Sequence, residues 1–297
     1  MTLFEVMDMF PDDQTAEDWF ASIRWPDEVA CARCGSLNVL VGAKHPTMPY
    51  RCRDCRKYFS VKTGTIMESS KLSYRVWAMA IYLLNTGIKG TSSMKLHRDL
   101  GITQKSAWHL AHRIRETWED AGEKFEGPVE VDEVFIGGLE KNKHATKMLR
   151  ARRGTVGKTP VVGVKDRGTN KISAAPVRNT RSVTLHRFVS DRTEYGAKVY
   201  SDEHAGYRFL RNHEVVKHSV GEYVRDQAHV NGVESFWAGL RRGYHGVYHQ
   251  MSPKHLHRYV REFAGRHNDR NQDTIEQMRR TARRMVGKRL KYASLTS

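Results

Sequence analysis

The sequence lacks long apolar runs, and no stretch approaches the roughly 18 residues that a membrane-spanning helix needs. Cysteine is scarce, with four residues in a chain of 297, all between positions 31 and 55. So small and clustered a set excludes a disulfide-stabilised scaffold and indicates a metal site in a reducing compartment. The acidic N-terminus has no apolar segment of the kind that a secretory signal requires, so we expect a cytoplasmic protein.

Acidic residues are also scarce relative to basic ones. The chain carries 50 Lys and Arg against 33 Asp and Glu, which gives a net charge of +17 and a pI of about 9.8. Residues 1–28 hold eight acids and one base, so the rest of the chain is more basic still. This excess favours a polyanionic partner, above all nucleic acid, and the alternative is a basic surface without a partner. Hydrophobic residues, at 39%, suffice for a buried core, and the length predicts about two domains.

The four cysteines form two Cys-x-x-Cys pairs separated by seventeen residues, Cys31 with Cys34 and Cys52 with Cys55. This spacing predicts a zinc ribbon, in which the two pairs face each other across short strands around residues 39–41 and 50–51. A redox motif would need only one pair. Because four protein ligands leave no open coordination position, the predicted Zn²⁺ is structural rather than catalytic.

A helical region follows, and its first helix has an apolar stripe of Leu72, Val76, Met79 and Leu83. Residues 91–100 and 102–115 then predict two helices joined by a turn at Gly101, with Thr103 as the N-cap of the second. The second helix has a predicted buried stripe of Ala107, Leu110, Ala111 and Ile114. Its outward face holds Gln104, Lys105, Ser106, His109 and His112. This is how a helix-turn-helix presents its recognition helix to the major groove, and a helical hairpin that binds nothing is the alternative.

From residue 128 the pattern changes to strands. Three strands in a meander are predicted at 128–136, 160–165 and 171–177, then a helix at 181–192, strands at 197–200 and 213–218, and a helix at 230–242. This order of elements is that of an RNase H-like fold.

Three carboxylates stand out in this region: Asp132 within a strand, Asp202 at the end of a strand and Glu234 on a helix. Two-metal phosphoryl transfer requires such a set, because each Mg²⁺ takes hard oxygen ligands and one carboxylate bridges the two ions. Simpler roles stay open for each residue alone: Asp202 as a helix cap, Glu234 in a capping box with Asn231, and Asp132 as a solvated strand residue. The apolar neighbours of Asp132 make a carboxylate without a partner costly there.

In these motifs the chain resembles the bacterial insertion-sequence transposases of the DDE superfamily. It is most similar to the zinc-ribbon group, the insertion-sequence 1595 family with its ISXO-like transposase domain, over about residues 15–275. The motifs that carry the resemblance are the cysteine pairs, Thr-Gly-Thr-Ile at 63–66, Val-Asp-Glu-Val-Phe-Ile-Gly-Gly at 131–138, Glu-Lys-Asn-Lys-His at 140–144, Ser-Asp-Glu-His-Ala-Gly-Tyr at 201–207, His-Val-Asn-Gly-Val-Glu-Ser-Phe-Trp at 229–237 and a spaced pattern at 255–268.

The resemblance implies a DDE transposase, which binds the terminal inverted repeats of an insertion sequence and catalyses metal-dependent DNA strand cleavage and strand transfer. It implies that Asp132, Asp202 and Glu234 are the catalytic triad and ligate the metal, and that Arg241 holds a phosphate. Some family members use Asn as the third ligand, which leaves Asn231 as the alternative to Glu234.

The resemblance also implies cofactors and partners. The cofactors are two divalent ions, Mg²⁺ or Mn²⁺, and one structural Zn²⁺. The partners are double-stranded DNA, both element ends and target, and at least one further copy of the chain in the synaptic complex. The expected place is the nucleoid of the bacterial cytoplasm, and no membrane is expected as a partner. Two other functions fit the same patterns: a DNA-binding regulator that keeps the catalytic domain as scaffold, and an RNase H-like nuclease without strand transfer.

The sequence thus predicts a multidomain α+β protein. Its parts are an acidic helical segment at 1–28, a zinc ribbon at 29–62, a helix-turn-helix module at 63–122, an RNase H-like α/β catalytic domain at 127–275 and a basic tail at 276–297. The tail holds seven bases and no acid between Arg279 and Lys291. We expect it either to be a solvated end or to clamp flanking DNA phosphates.

Overall fold

The computed structural model describes residues 1–119, 122–138, 144, 146, 148, 149, 154–216 and 231–297. They form two compact units, the first comprising Met1–Trp118 and Arg270–Ser297 and the second comprising Glu119–Asp269. None of the described helices is long and apolar enough to cross a membrane. Parts of three predicted motifs lie outside the described residues, at 140–143, 217–218 and 229–230.

Helices build most of the first unit. They are α1 (Leu3–Met9), α2 (Asp13–Arg24), α3 (Tyr74–Thr86), α4 (Ser93–Leu100), α5 (Gln104–Arg115) and, near the C-terminus, two helices described below. α3 is central, because it contacts α1, α2, α4 and α5. It buries Trp77 and Ile81 completely, whereas Val76 and Met79 of the predicted stripe are half-buried. The sequence predicted burial along one stripe only, but neighbouring helices cover α3 on several sides, so residues outside the stripe are buried as well.

α4 and α5 form the predicted helix-turn-helix. Gly101 ends α4 with a φ of 62°, a left-handed conformation that glycine adopts without a steric penalty. Thr103 caps α5 by accepting a hydrogen bond from the backbone N–H of Ser106. The predicted inner stripe is buried, namely Ala107, Leu110, Ala111 and Ile114. The expectation that His112 faces outward is wrong: its side chain is fully buried and packs edge-on against Trp108, because the core meets α5 on more than one side.

The cysteine segment folds as a small antiparallel sheet. Its strands are β1 (Val39–Val41), β2 (Tyr50–Cys52) and β3 (Tyr58–Phe59), in that order. The first two strands lie where the sequence predicts them. Trp25, after α2, packs its ring edge-on against Tyr50 and Phe59. So few buried side chains cannot stabilise a sheet of this size, which is why a metal is needed.

The basic C-terminal residues belong to the first unit and are not a separate tail. They form α9 (Thr274–Arg283) and α10 (Tyr292–Thr296). Their apolar side chains are buried in the core of the first unit: Met278, Ala282, Met285, Leu290 and Leu295. The backbone is tied in as well, since Ile66 N–H donates to Met285 C=O at 2.9 Å. The expectation of a solvated end therefore does not hold, although several bases stay exposed: Arg279, Arg283, Arg284, Arg289 and Lys291.

A five-stranded mixed sheet is the centre of the second unit. Its strands are β4 (Val129–Ile136), β5 (Thr159–Asp166), β6 (Ile172–Pro176), β7 (Val199–Ser201) and β8 (His213–Val215), in the order β6-β5-β4-β7-β8. β4, β5 and β6 are antiparallel neighbours, whereas β7 runs parallel to β4 and β8 parallel to β7. The meander of β4, β5 and β6 agrees with the order of elements that the sequence predicts for an RNase H-like domain, whereas the parallel pairing of β7 and β8 was not part of that prediction.

Helices cover both faces of this sheet. They are α6 (Ser182–Ser190), α7 (Asn231–Gly243) and α8 (Leu256–Asp269). Because successive side chains on a strand point to opposite faces, β4 contributes to two cores. Val134 packs with Trp237 of α7 on one face, and Val131 packs with Leu185 of α6 on the other.

The motif at 255–268 serves packing in this unit. The side chain of Asn268 on α8 accepts a hydrogen bond from the backbone N–H of Ile172 at 2.8 Å and donates one to its C=O at 2.9 Å. On the same helix, Arg266 and Glu262 form a buried ion pair at 2.7 Å. The hydrogen bonds of Asn268 hold α8 against the edge strand β6.

Because the C-terminal residues complete the first core, we expect Met285→Ala to lower the free energy of unfolding of the first unit by about 2–5 kcal/mol, the usual cost of truncating a buried Met. Met285 is 1% exposed, whereas its neighbour Arg284 lies at the surface. Arg284→Ala, the control, should change that free energy by no more than about 0.5 kcal/mol. Urea denaturation measures both, and equal stability of the two variants would mean that this segment does not belong to the core.

Candidate functional site

The four cysteine sulfurs converge on one point. Sγ of Cys31 lies 3.7 Å from Sγ of Cys55, Sγ of Cys34 lies 3.6 Å from Sγ of Cys52, and all four lie within 4.8 Å of one another. Ligands about 2.3 Å from a tetrahedral zinc ion lie roughly 3.8 Å apart, so these sulfurs fit that ion. Burial opposes ionisation of Cys31, but hydrogen bonds from the backbone N–H groups of Arg33 and Cys34 and from the side chains of Cys34 and Cys55 together lower the pKa of this thiol to about 7. The thiolate is the form that binds metal.

In the second unit, the parallel pairing of β4 with β7 brings two of the three predicted carboxylates together. Val131 is opposite Ser201 in the ladder, so the next residues on the two strands, Asp132 and Asp202, lie side by side. Together with Glu133, they offer carboxylate oxygens that lie within 4.8 Å of one another. Oxygen ligands this close suit a divalent cation such as Mg²⁺.

Repulsion within this cluster shows in the ionisation of Asp132. Burial, and then the negative charges of Asp202 and Glu133, raise the pKa of Asp132 to about 7, and Glu234 adds a smaller effect in the same direction. A cation between these carboxylates would relieve the repulsion and displace the proton. The chemistry of the donor set therefore fits a divalent metal ion.

Glu133 is a member of the cluster that the sequence did not single out. Its carboxylate accepts a hydrogen bond from the Tyr207 hydroxyl at 2.6 Å and lies 3.7 Å from Nε2 of His204. Both partners come from the short segment after Asp202. The adjacent acids in β4 were a visible signal, but the sequence could not show that Tyr207 returns to this strand from 74 positions away.

α7 carries the third predicted carboxylate over the sheet. Trp237 packs so closely on Gly163 of β5 that a β-carbon there would lie 2.8 Å from the indole, and Gly163 is the ladder partner of Asp132. The first turn of α7 thus holds Glu234 close enough for its charge to raise the pKa of Asp132. Among the described residues, the 4.8 Å cluster does not include Glu234, whose side chain is exposed. The structure brings the two aspartates together and places Glu234 at the edge of the site.

Two further predicted residues lie on or beside α7. Asn231 is its first residue, so it is not the N-cap that a capping box with Glu234 would require. Arg241 lies two turns after Glu234 on the same face, about 10 Å further along the helix axis. It lines a cavity of about 660 Å³ together with Lys158 and His249. This cavity has a basic wall suited to a phosphate.

The predicted nucleic-acid-reading residues lie on α5 in the first unit. Gln104 and Lys105 are exposed, whereas Ser106 and His109 are half-buried. Gln104 donates a hydrogen bond from Nε2 to Oγ of Ser93 on α4 at 3.0 Å. The first turn of α5 is therefore the most accessible part of this face.

The C-terminal segment covers the rest of the same face. Nζ of Lys105 lies 4.6 Å from the ring centroid of Tyr292, and Nε2 of His109 lies 3.2 Å from the C=O of Leu290. Burial lowers the pKa of His109, so its ring is neutral at pH 7 and donates this hydrogen bond. Sequence reasoning missed these contacts because Leu290 is 181 positions from His109.

Comparison with known proteins agrees with this geometry. Residues 124–268 match the family model described as an ISXO2-like transposase domain, and residues 11–58 match a transposase zinc-ribbon domain. The first match spans the carboxylate cluster, and the second spans the cysteines. Over 271 residues the chain is 30% identical to the "Uncharacterized protein in transposable element ISH50" of Halobacterium salinarum, which covers 86% of this chain and 90% of that protein. No solved structure matches the chain significantly.

We expect reduced, freshly purified protein to contain about one Zn²⁺ per chain. Cys52→Ser should lose the metal and unfold the ribbon locally, because Cys52 is fully buried and offers one of the four ligand atoms. Val41→Ala, at an exposed position of the same sheet, is the control and should keep the metal. Elemental analysis with limited proteolysis measures both effects, and wild-type protein without zinc would refute the assignment.

The raised pKa of Asp132 predicts a pH dependence of metal binding. Below its pKa of about 7 the carboxyl keeps a proton that a cation must displace, so apparent Mn²⁺ affinity should rise with pH and level off above about 7. For one displaced proton the rise is at most about tenfold per pH unit. Mn²⁺ titrations followed by electron paramagnetic resonance measure this profile. Asp132→Asn should bind weakly at every pH, and a flat wild-type profile would contradict the prediction.

Proposed function

Because the chain belongs to the family of insertion-sequence transposases that combine a transposase zinc ribbon with an ISXO2-like transposase domain, we propose that it is a DDE transposase. It binds the terminal inverted repeats of an insertion sequence, cleaves a DNA strand at each end and transfers the cleaved end to target DNA. The observation that carries the proposal is the pair of aspartates on adjacent strands, Asp132 and Asp202, beneath a helix that carries Glu234.

The second unit supplies the chemistry in this proposal. Asp132, Asp202 and Glu234 hold two divalent ions, Mg²⁺ or Mn²⁺. Asp132 would be the central ligand of the three, because the charges of both other carboxylates reach it. When bound, the two ions activate the attacking hydroxyl and stabilise the leaving oxygen in an in-line displacement. Arg241, on the same helix face as Glu234, binds a phosphate of the DNA strand.

Glu133 is the competing third ligand, since its oxygen lies in the 4.8 Å cluster. We assign it instead to positioning, because its carboxylate already accepts the Tyr207 hydroxyl and lies beside His204. Through these contacts Glu133 ties the segment after Asp202 to β4. Glu234 is kept as the third ligand, because its side chain is exposed on the first turn of α7 and its charge reaches Asp132.

The first unit recognises DNA. Gln104 and Lys105 enter the major groove from the start of α5, with Ser106 and His109 behind them. Exposed bases of the C-terminal segment contact phosphates, which position the duplex without specifying its sequence. The net charge of +17 supports this role. The clamp that the sequence suggested is thus an ordered surface of the first unit.

The reaction needs no protein nucleophile. Water attacks the scissile phosphodiester and leaves a 3′-hydroxyl and a 5′-phosphate. That 3′-hydroxyl then attacks a phosphodiester of the target strand and displaces a 3′-hydroxyl of that strand, so no covalent protein intermediate forms. Bringing two element ends together requires at least a homodimer in the synaptic complex. Element ends and target are both double-stranded DNA.

The test is cleavage and joining of a linear DNA that carries an element end, with Mg²⁺. Wild type should give both cleaved and joined products. Asp132→Asn, Asp202→Asn and Glu234→Gln should each lower both by at least about a hundredfold, because each removes a metal ligand. End binding should stay unchanged, since the first unit performs it. Glu203→Gln, an exposed acid beside Asp202, is the control and should behave as wild type.

Each other outcome has a definite meaning. End binding without cleavage by the wild type would identify a DNA-binding regulator, and cleavage without joined products would identify a nuclease. A larger loss in Glu133→Gln than in Glu234→Gln would exchange the roles of these two glutamates.

A further inference from the structure

Glu130 lies beneath the start of α7 and has no role in the function proposed above. It precedes Asp132 by two positions on β4, so the two side chains share a face of the sheet. The side chain of Glu130 is 3% exposed. Its Oε2 accepts the backbone N–H of Val233 at 3.0 Å, and its Oε1 accepts Nε–H of Arg167 at 3.0 Å.

The contact with Val233 fixes the first turn of α7. Val233 is the third residue of this helix, so its N–H is one of the four at a helix start that have no acceptor within the helix. A neighbouring cap side chain usually accepts such a group, but here a carboxylate from the sheet does so. Its negative charge also faces the positive end of the helix dipole. The turn held in this way is the turn that carries Glu234.

The fit around Glu130 leaves no spare room. A β-carbon added to Gly232 would lie 2.7 Å from Oε2 of Glu130 and 2.8 Å from Nζ of Lys165 on β5. The guanidinium of Arg167 lies 4.1 Å from the ring centroid of Tyr200 on β7, and the Arg167 side chain is 14% exposed. Arg167, directly after β5, thus holds the carboxylate of Glu130, and Tyr200 of β7 supports Arg167.

We propose that Glu130 is a positioning residue of the metal site: it fixes the start of α7 to β4 and so keeps Glu234 at the edge of the site, next to the ion that Asp132 would bind. This inference rests on the proposed function, because it takes Glu234 as a ligand. One strand carries both the ligand Asp132 and the acceptor that locates the helix bearing Glu234. Displacements of about 1 Å matter in such sites, so removing this acceptor weakens metal binding without removing a ligand.

Two glycines of α7 provide a matched test. Alanine favours a helix over glycine at both Gly232 and Gly239, so helix propensity alone predicts that neither substitution harms the protein. Gly239 has no atom within 4 Å of an added β-carbon, whereas Gly232 collides with Glu130. We expect Gly232→Ala to raise the Mn²⁺ concentration for half-maximal binding by about tenfold or more, the usual effect of disturbing a residue that orients a metal ligand. Gly239→Ala should leave it unchanged.

Substitutions of Glu130 itself give a second, independent comparison. Glu130→Gln keeps an acceptor for the Val233 N–H, so it should weaken Mn²⁺ binding less than Glu130→Ala. Mn²⁺ binding is measured on the full chain without DNA by electron paramagnetic resonance, and the Mg²⁺ dependence of end cleavage is measured alongside. Every variant should keep the far-ultraviolet circular dichroism spectrum of the wild type, because a misfolded second unit would not.

The outcomes separate this inference from the proposed function. If Gly232→Ala and Glu130→Ala both bind Mn²⁺ with the affinity of the wild type, the inference is overturned, even where the wild type cleaves DNA. If Gly232→Ala does not fold, the two Glu130 variants decide. If the variants show the expected shifts in Mn²⁺ binding but the wild type cleaves no DNA, the positioning role is supported and the transposase function is rejected. A wild type that binds no Mn²⁺ would reject both.

Discussion

The parallel pairing of β4 with β7 sets Asp132 beside Asp202, and the repulsion between these carboxylates is the constraint on which the second unit depends. Like charges in a partly buried place oppose folding unless a cation or a proton neutralises them. The apolar clusters on the two faces of the sheet, around Trp237 and Leu185, supply the stability that this arrangement needs. A raised pKa is thus a sign that the sheet holds its ligands in place before a metal ion arrives.

The same constraint explains how closely α7 approaches the sheet. Glu234 lies near enough for its charge to act on Asp132 because the helix lies almost on the strands, and glycines make that approach possible from both sides. Gly163 on β5 makes room for Trp237, and Gly232 on α7 makes room for Glu130. At either place a β-carbon would lie under 3 Å from its neighbour, so larger residues would lift the helix from the sheet.

Local and periodic signals in the sequence predicted much of this structure. The cysteine spacing gave the ribbon, Gly101 and Thr103 gave the helix-turn-helix, and the order of strands placed Asp132 near Asp202. The resemblance to insertion-sequence transposases is confirmed by the family matches. Contacts between distant segments could not be predicted, because periodicity records which face of an element is apolar but not what covers it. The contacts of His109 with Leu290, of Glu133 with Tyr207 and of Glu130 with Val233 are of this kind, since in each pair the two residues lie 74 or more positions apart.

The C-terminal segment shows how a charge run can mislead. Its bases suggested a solvated tail, yet Met278 and Ala282 recur at helical spacing and face the core. Arg279 and Arg283 lie on the other side of α9, where Arg283 pairs with Glu276 at 2.9 Å. One amphipathic helix therefore both completes the core and presents cations to solvent. Because ordered side chains lose less conformational freedom on binding than those of a disordered tail, such a surface would bind DNA phosphates at a lower entropic cost in the function proposed above.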